Sequence, residues 1–580
     1  MIPRFLARTW GGAHAFLHRA RRLTPIDLLV LAGLAGLLFA GYRVARQWTG
    51  QLRPAVAIDL SAGALPRYAL FSLARGLAAY ALSLGFTLVY GYWAARDRLS
   101  ERVLIPLLDI LQSIPVLGFM PGLVLTLVAA FPASNLGLEL AAVLMIFTGQ
   151  VWNMTFSFYH SLRSMPHDLE EAADLYRFSR WQRLRWLELP HATLGLVWNS
   201  MMSMAGGWFF LMISEAFVLG HRDFRLPGLG AYMSVAVARG DGPAMLRAIL
   251  AMVLMILALD QFLWRPVVAW AQKFRVEEAA GAQSAGSWFL SWLQHSRLLA
   301  WAGRRLRRAR PRPGGGAAPL ATPRPTAAPG RWPGILSHAA FALLLAALAV
   351  GAWKLARLLL PVGPADWGGI LGAALLTLAR VLAATLLGTL WAVPAGLGIG
   401  LSPRWSRLLQ PVAQVAASFP APMLFPLVIA ALHASGVPLG WGSIVLMLLG
   451  TQWYILFNVV AGAMAIPADL VEAARSYRLS LVRRFRSLYA PAVFPYLVTG
   501  WVTAAGGAWN ASIVAEYVSF RGRTLVAPGV GARISQAAER GDLAHLAAAI
   551  LVMSALVVLF NRSVWQRLYR ASEERFSLTR

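Results

Sequence analysis

The chain of 580 residues contains no cysteine. That single absence excludes disulfides, thiolate metal sites and cysteine nucleophiles. Charge is scarce too: Asp, Glu, Lys and Arg make up 13% of residues, against roughly 25% in soluble domains. Lysine is nearly missing and occurs only at Lys273 and Lys354. Neither sits in a glycine-rich turn ending in Gly-Lys-Ser/Thr, so the sequence offers no P-loop for holding nucleotide phosphates and no ATPase site of that kind is expected. The histidines, among them His160, His191, His433 and His545, lack metal-ligand spacing, and no metal site is expected.

What is present is apolar. Hydrophobic residues make up 58% of the chain and mean hydropathy is +0.58, the balance of an integral membrane protein whose environment is the lipid bilayer. Net charge is +28. On a soluble protein that excess would raise nucleic-acid binding. Here the arginines concentrate in loops beside apolar spans, where membrane topology explains them, and no nucleic-acid partner is expected. Near the N-terminus Arg4, Arg8, Arg19, Arg21 and Arg22 precede an apolar run. That run exceeds the ~7–15 residues of a signal-peptide core and ends at Tyr42-Arg43 without a cleavage site. An uncleaved span with a cytoplasmic N-terminus is expected.

Crossing the hydrocarbon layer takes about 20 mainly apolar residues. Six segments qualify in the first half: 26–45, 69–94, 104–130, 136–160, 192–219 and 244–269. Six more qualify in the second: 335–360, 370–400, 406–432, 438–465, 492–518 and 543–561. The predicted fold is all-α and polytopic, with about 12 transmembrane helices in two halves, 1–275 and 335–580. An even number of spans per half gives both halves the same orientation, a parallel repeat. Between them, 276–334 carries an aromatic and leucine-rich face (Trp288, Phe289, Trp292, Leu299) running into Arg304-Arg305-Leu306-Arg307-Arg308. That pattern suits a helix on an anionic membrane surface. A Pro/Gly/Ala-rich linker follows over 311–333.

The halves repeat each other at a fixed offset of 301 positions. Pro166-His-Asp-Leu-Glu-Glu-Ala-Ala matches Pro467-Ala-Asp-Leu-Val-Glu-Ala-Ala, and the match runs on to Pro190 and Pro491. Gly149 and Trp152 match Gly450 and Trp453; Trp208 and Glu215 match Trp509 and Glu516; Pro227-Gly-Leu-Gly matches Pro528-Gly-Val-Gly. Upstream the offset becomes 305, pairing Leu73-Ala74-Arg75 with Leu378-Ala379-Arg380 and Pro106, Pro115 and Pro121 with Pro411, Pro420 and Pro426. An internal duplication explains so many fixed-offset matches. The prolines are expected to break helices inside the spans.

Each repeated insert is polar, about 25 residues long, and lies between the fourth and fifth spans on the arginine-rich, cytoplasmic side. Asp168 and Glu171, like Asp469 and Glu472, have capping-box spacing, which predicts a short helix opened by the aspartate. Arginines gather toward the helix end, where they suit the macrodipole.

At these residues the chain resembles the permease subunits of bacterial binding-protein-dependent ABC importers. Their signature is Glu-Ala-Ala, a glycine four positions on, then Ile-x-Leu-Pro. Glu171-Ala172-Ala173 with Leu187-x-Leu189-Pro190 follows it, and so, less closely, does Glu472-Ala473-Ala474 with Leu488-x-Ala490-Pro491. Both copies carry arginine, Arg177 and Arg478, where the family has its turn-marking glycine, and the shape of that turn is left open. Ser72 to Arg75, Thr377 to Arg380, the Ile114-Pro115 and Phe419-Pro420 breaks and the late Trp/Glu/Gly pattern narrow the resemblance to the nitrate, sulfonate and taurine branch. The resemblance implies two type I permease halves fused in one chain in a bacterial inner membrane. It implies two copies of a separate ABC ATPase, which would bind ATP and magnesium, and an extracytoplasmic substrate-binding protein. The ATPase-coupling residues would be Asp168, Glu171, Ala172, Ala173, Arg177, Leu187, Pro190, Asp469, Glu472, Ala473, Ala474, Arg478, Leu488 and Pro491. A small anion is the expected solute, and no cofactor is expected in this chain.

Charges within spans are costly and point to function or to pairing. Arg75, Arg380, Glu215 and Glu516 are candidates for a translocation path or gate; the plainer reading is that each arginine pairs with a carboxylate or snorkels. The rival for the whole chain is a gradient-driven transporter of major-facilitator type, which also has two parallel six-span halves. Its Asp-Arg loop is only faintly matched by Asp97-Arg98, and the Glu-Ala-Ala inserts have no role there. A membrane-embedded transferase would need a convergent catalytic group, and none repeats.

Overall fold

The computed structural model describes residues 24–52, 56–113, 115–219, 222–274, 287–296, 298–299, 331–520 and 523–576. The basic N-terminal stretch, Ile114, the Arg304–Arg308 run and the linker up to 330 lie outside the described residues.

The described residues are mostly helical, with two β-hairpins and an isolated bridge between Gln51 and Ser134. The first half contributes α1 (Pro25–Trp48), α2 (Leu65–Arg96), α3 (Arg98–Ser113), α4 (Val116–Ala130), α5 (Leu136–Arg163), α6 (His167–Leu175) and α7 (Arg180–Ser214). The antiparallel pair β1 (Ala216–Leu219) and β2 (Arg222–Arg225), α8 (Leu229–Arg239) and α9 (Gly242–Phe274) complete it. A short α10 (Trp288–Gln294) follows. The second half repeats the series as α11 (Arg331–Leu359), α12 (Pro364–Gly400), α13 (Pro403–Ser418), α14 (Phe425–Ala434), α15 (Leu439–Met464), α16 (Ala468–Ser476) and α17 (Leu481–Ala515). It closes with β3 (Tyr517–Phe520), β4 (Arg523–Val526), α18 (Val530–Arg540) and α19 (Leu543–Ser572).

Nine of these helices, among the described residues, are long and apolar enough to cross a bilayer. Three expected spans differ: 335–360 forms α11, which is not among the nine, and 104–130 and 406–432 are each two shorter helices, α3 with α4 and α13 with α14. Pro115 (φ −62°, ψ 118°) and the Phe419-Pro420 pair (ψ 130° and 112°) are extended at the breaks. Proline removes a ladder N–H and drives the residue before it out of the helical region. Not every proline acts this way. Pro106, Pro411 and Pro121 lie inside helices and Pro426 sits at a helix start, so these four are not the breaks expected of them. Membrane helices tolerate proline where neighbours re-satisfy freed groups. The fifth spans also stop short of expectation, at Ser214 and Ala515, where the hairpins begin.

The duplication extends to irregularities. Single π-turns occur at Leu184–Glu188 and Asp260–Trp264, and again at Phe485–Tyr489 and Asn561–Trp565, at the same 301-residue offset. A π-turn inserts a residue and marks functional positions in many helices.

The described residues within 1–47 and 258–348 form one compact unit, and those within 48–257 and 349–580 a second. In the first, the buried Asp27 near the start of α1 accepts hydrogen bonds from Ser296 Oγ (2.7 Å) and the Leu298 N–H (3.0 Å). Phe289 of α10 meets Phe262 edge-on at 4.9 Å. In the second unit α5 packs between α2 and α7, and α15 likewise between α12 and α17. The two halves meet there directly: the Val116 N–H, just past the α3–α4 break, donates to Asn510 Oδ1 of α17 (2.9 Å).

Candidate functional site

The Glu-Ala-Ala inserts form α6 and α16. Neither opens on a capping box, contrary to the spacing of Asp168 with Glu171 and Asp469 with Glu472. Pro166 and Pro467 are the N-caps, with extended ψ of 134° and 136° and no side-chain cap. Proline already supplies the fixed φ and lacks the N–H that a capping glutamate would bind, so the aspartates fall in the first helical turn, where they suit the macrodipole. The capping box lies one turn on: Ser179 and Gln182 bond each other's backbone at the start of α7, and Ser480 caps α17 through the Arg483 N–H.

The helix ends show what arginine does at the turn. Arg177 (φ 52°) and Arg478 (φ 48°) are the only non-glycine residues with positive φ among the described residues. The Phe178 N–H reaches the Ala173 carbonyl (2.9 Å) and the Arg177 N–H the Asp174 carbonyl (3.0 Å); Leu479 and Arg478 do the same on Ala474 and Arg475. This is the Schellman pattern, in which the left-handed residue is usually glycine. The turn therefore survives the replacement, with arginine carrying the strain.

Of the predicted coupling residues, Ala173 and Ala474 are buried against the body, whereas Asp168, Glu171, Ala172, Glu472 and Ala473 are exposed. Leu187, Pro190, Leu488 and Pro491 are half-buried at the π-turns and the feet of α7 and α17. Around each helix end large apolar side chains stand in the open, including Leu175 (82% exposed) and Trp186, and in the second copy Tyr477 (81%) and Leu481.

The two copies are held differently. In the first, Glu170 pairs with Arg183 (3.0 Å) and Arg96 (3.6 Å), Arg183 also reaches Asp174 (3.0 Å), and Arg96 pairs with the buried Glu188. In the second, Arg183 has its counterpart in Arg484, but Glu170, Arg96, Asp174 and Glu188 are replaced by Val471, Leu401, Arg475 and Tyr489. Val471, Leu401 and Tyr489 pack on the apolar core of the second half instead.

Inside each half an arginine meets a glutamate. Arg75 is fully buried: its Nε and Nη2 donate to the two oxygens of Glu139 (2.6 and 2.8 Å), and its Nη1 to Glu215 (2.8 Å) and the Pro227 carbonyl (3.0 Å). Glu215 also accepts from Ser72 Oγ (2.6 Å) and the Gly230 N–H (2.7 Å) at the start of α8. In the second half Arg380 Nη1 donates to Glu516 (2.7 Å) and the Pro528 carbonyl (2.7 Å), and Glu516 accepts from Thr377 (2.9 Å) and the Gly531 N–H (3.0 Å). The repeated Pro-Gly-x-Gly is explained by this contact. A Cβ on Gly228 or Gly529 would lie 2.2 or 2.1 Å from the carboxylate, so only glycine lets it reach the helix start. Sequence reasoning named both arginines and both late glutamates but missed Glu139, whose only signal is an acid in an apolar span.

Between the halves lies a cavity of about 530 Å³, lined from both copies of the repeat. Trp152 and Trp453, the Gly149/Gly450 pair and Trp509 contribute, with Asn153, Gln414, Thr451 and Asn510 as polar groups. The described lining contains no charged side chain, and Arg75, Arg380, Glu215 and Glu516 are not part of it. Indole and amide N–H groups and the Tyr454 hydroxyl are among the donors it presents.

Two halves of one helical membrane fold, each with an exposed loop helix, define a duplicated permease. The chain belongs to the family described as binding-protein-dependent transport system inner membrane component, whose model matches residues 87–263 and again 384–576. It is a multi-pass inner-membrane transport component, and the major-facilitator alternative is not favoured. A nitrate import permease protein, NrtB, of Leptolyngbya laminosa is 28% identical over 32% of this chain and 64% of its own length. A bicarbonate transport system permease protein, CmpB, of Synechocystis is 26% identical over 34% of this chain and 67% of its own. A riboflavin transport system permease protein, RibX, of Chloroflexus aurantiacus is 30% identical over 34% and 69%. The chain thus spans about two thirds of each of these relatives, and each match takes up about a third of the chain.

Proposed function

We propose that this chain is the complete permease of an ATP-driven importer, with halves 1–275 and 335–580 forming one translocation path for a small solute. Two copies of a separate ABC ATPase, which bind the ATP and magnesium, dock on α6 and α16 from the cytoplasmic side, and a binding protein delivers solute from outside. The N-terminus is cytoplasmic. The observation that carries this reading is the pair of exposed helices with matching left-handed ends, each planted by its second alanine on the body of a half. Closure of the ATPase pair would move the two helices as levers and rock the halves about the cavity. Asp168, Glu171, Ala172, Arg177, Asp469, Glu472, Ala473 and Arg478 would face the ATPase; Leu187, Pro190, Leu488 and Pro491 would pass the motion to α7 and α17.

The solute is a small anion, in keeping with relatives named for nitrate and bicarbonate import. It would be held weakly by indole and amide donors rather than by a fixed charge. The aromatic lining and the relative named for riboflavin transport favour a planar aromatic solute as a second reading. Uptake into vesicles holding the chain, its ATPase and its binding protein tests all of this. Uptake should require ATP, and labelled nitrate, bicarbonate and riboflavin separate the two solute classes. Uptake driven by a proton gradient without ATP would overturn the importer reading.

A further inference from the structure

The two arginines are not equivalent: Arg75 is buried and Arg380 is partly exposed, and the two guanidinium groups are bonded differently. Arg75 uses every edge of its guanidinium. Glu139 takes the Nε/Nη2 edge in a bidentate pair, and Glu215 and the Pro227 carbonyl take Nη1. Arg380 repeats only the second part, donating from Nη1 to Glu516 and the Pro528 carbonyl. Its Nε/Nη2 edge has no partner among the described residues, because the position matching Glu139 is Gly440. A Cβ at 440 would lie 3.8 Å from Arg380 Nη2 with nothing else within 4 Å. The side chain of Arg380 is 13% exposed, whereas that of Arg75 is 0%.

Two further features suit the gap to an anion. Pro438 caps α15 there, so Gly440 lies in the first turn of a 26-residue helix, where the dipole favours negative charge, although the Trp441 and Gly442 N–H groups already donate to the Pro438 carbonyl. The first half also shows that this environment holds one guanidinium between two carboxylates, a local charge of −1. The second half, with one carboxylate, is one negative charge short of its own duplicate.

We propose that the open edge of Arg380 beside Gly440 is a binding site for a planar oxyanion of carboxylate shape, supplied from outside the chain. Two oxygens of the anion would accept from Nε and Nη2 as Glu139 does on Arg75, the geometry in which arginine is most selective. The site lies at the end of α15 remote from α16, about 36 Å along the helix from Met464. In the import reading that is the extracytoplasmic mouth, so the anion is either free solute or a carboxylate on the docked binding protein. The assignment of role rests on that reading; the site itself does not.

The test uses the purified full chain in nanodiscs. Nitrate and formate are titrated against chloride at constant ionic strength while thermal stability is followed, and affinity for the binding protein is measured in parallel. Gly440→Glu supplies the missing carboxylate, Gly440→Gln fills the same space without charge, and Arg380→Lys keeps the charge but removes the fork. A free-anion site gives saturable stabilisation by nitrate or formate that is lost in Gly440→Glu and Arg380→Lys, with the Gly440→Glu chain already as stable as the anion-bound parent. A site for a protein carboxylate gives no anion effect, but binding-protein affinity falls in Gly440→Glu and Arg380→Lys. Should the parent and all three variants show neither an anion response nor a change in binding-protein affinity, the proposal is overturned. Gly440→Glu destabilised as much as Gly440→Gln would overturn it too, since the pocket would then reject volume rather than await charge. ATP-driven uptake plays no part in these readouts, so their failure leaves the importer reading intact.

Discussion

Arg75 and Arg177 are the residues on which most rests. Arg75 neutralises carboxylates that have no water to turn to, so Arg75→Met leaves Glu139 and Glu215 buried and uncompensated. Breaking a buried pair in this way costs about 3–5 kcal/mol, and a large fall in the denaturation midpoint of the detergent-solubilised chain is expected. Arg380→Met should cost clearly less, because that arginine is partly exposed and has one carboxylate rather than two. Equal losses at the two sites would contradict the asymmetry between the halves. At Arg177 and Arg478 the sign reverses. A left-handed conformation costs a non-glycine residue about 1–2 kcal/mol, while glycine gives back roughly 0.4–1 kcal/mol through a freer unfolded chain. Arg177→Gly should therefore raise stability by between zero and about 1.6 kcal/mol, and the same holds for Arg478→Gly; a fall would mean that the arginine makes a contact outweighing its strain. What the sequence made legible at this scale depended on repetition. Arg75, Glu215 and their partners stood out because each recurs at a fixed offset. Glu139 did not, because Gly440 breaks the repeat at that one position. The capping box failed for the opposite reason: its spacing was present twice, but Pro166 and Pro467 already occupied the cap.

At the scale of elements, the same short helix is attached to the body by two chemistries. Helix α6 is tied through Arg96, Glu170, Arg183 and Glu188, whereas α16 rests on Val471, Leu401 and Tyr489. Partly exposed ion pairs weaken as salt shortens the Debye length from about 10 Å at 0.1 M to about 3 Å at 1 M; apolar contacts do not. Raising salt should speed backbone hydrogen exchange in 166–190 more than in 467–491, and Glu170→Gln should mimic the effect at low salt. Equal acceleration in both segments would remove the distinction. The two surfaces also differ in charge: 166–190 carries five carboxylates and four arginines, 467–491 two carboxylates and five arginines. Reversing Arg177 and Arg478 together to glutamate should weaken ATPase binding, with the loss greater at low salt. Little of this attachment was legible from composition: Glu170, Arg183 and Glu188 share one loop, but Arg96 and Leu401 come from a distant segment. The breaks at Pro115 and Pro420 were, because proline acts locally. Pro106, Pro411 and Pro121 show the limit of that signal: each lies inside a helix that runs on past it.

For the molecule as a whole, the question is what fusion of the halves contributes. Both halves enter the compact unit formed by Trp48–Leu257 and Ala349–Arg580, they share the lining of one cavity, and Asn510 of the second bonds the backbone at Val116 of the first. The cavity makes the coupling testable, since Trp152 and Trp453 come from equivalent places in the repeat. Replacing either by alanine should impair uptake and leave ATPase binding at α6 and α16 unchanged, whereas a structural role alone would lower both together. If the halves recognise each other through these surfaces, the covalent link raises their effective concentration and fixes a ratio of one to one, without supplying the contact itself. A chain cut within the Pro/Gly/Ala-rich stretch 311–330 and expressed as two pieces should then copurify as a pair and support ATP-dependent uptake, at a rate limited by pairing. The uncut chain should bind its ATPases as one permease copy to two ATPase copies by native mass spectrometry, where a permease with one half per chain would need two. Two permease chains per complex would mean that each half seeks a second copy of itself. The duplicated sequence would then describe its ancestry but not its assembly.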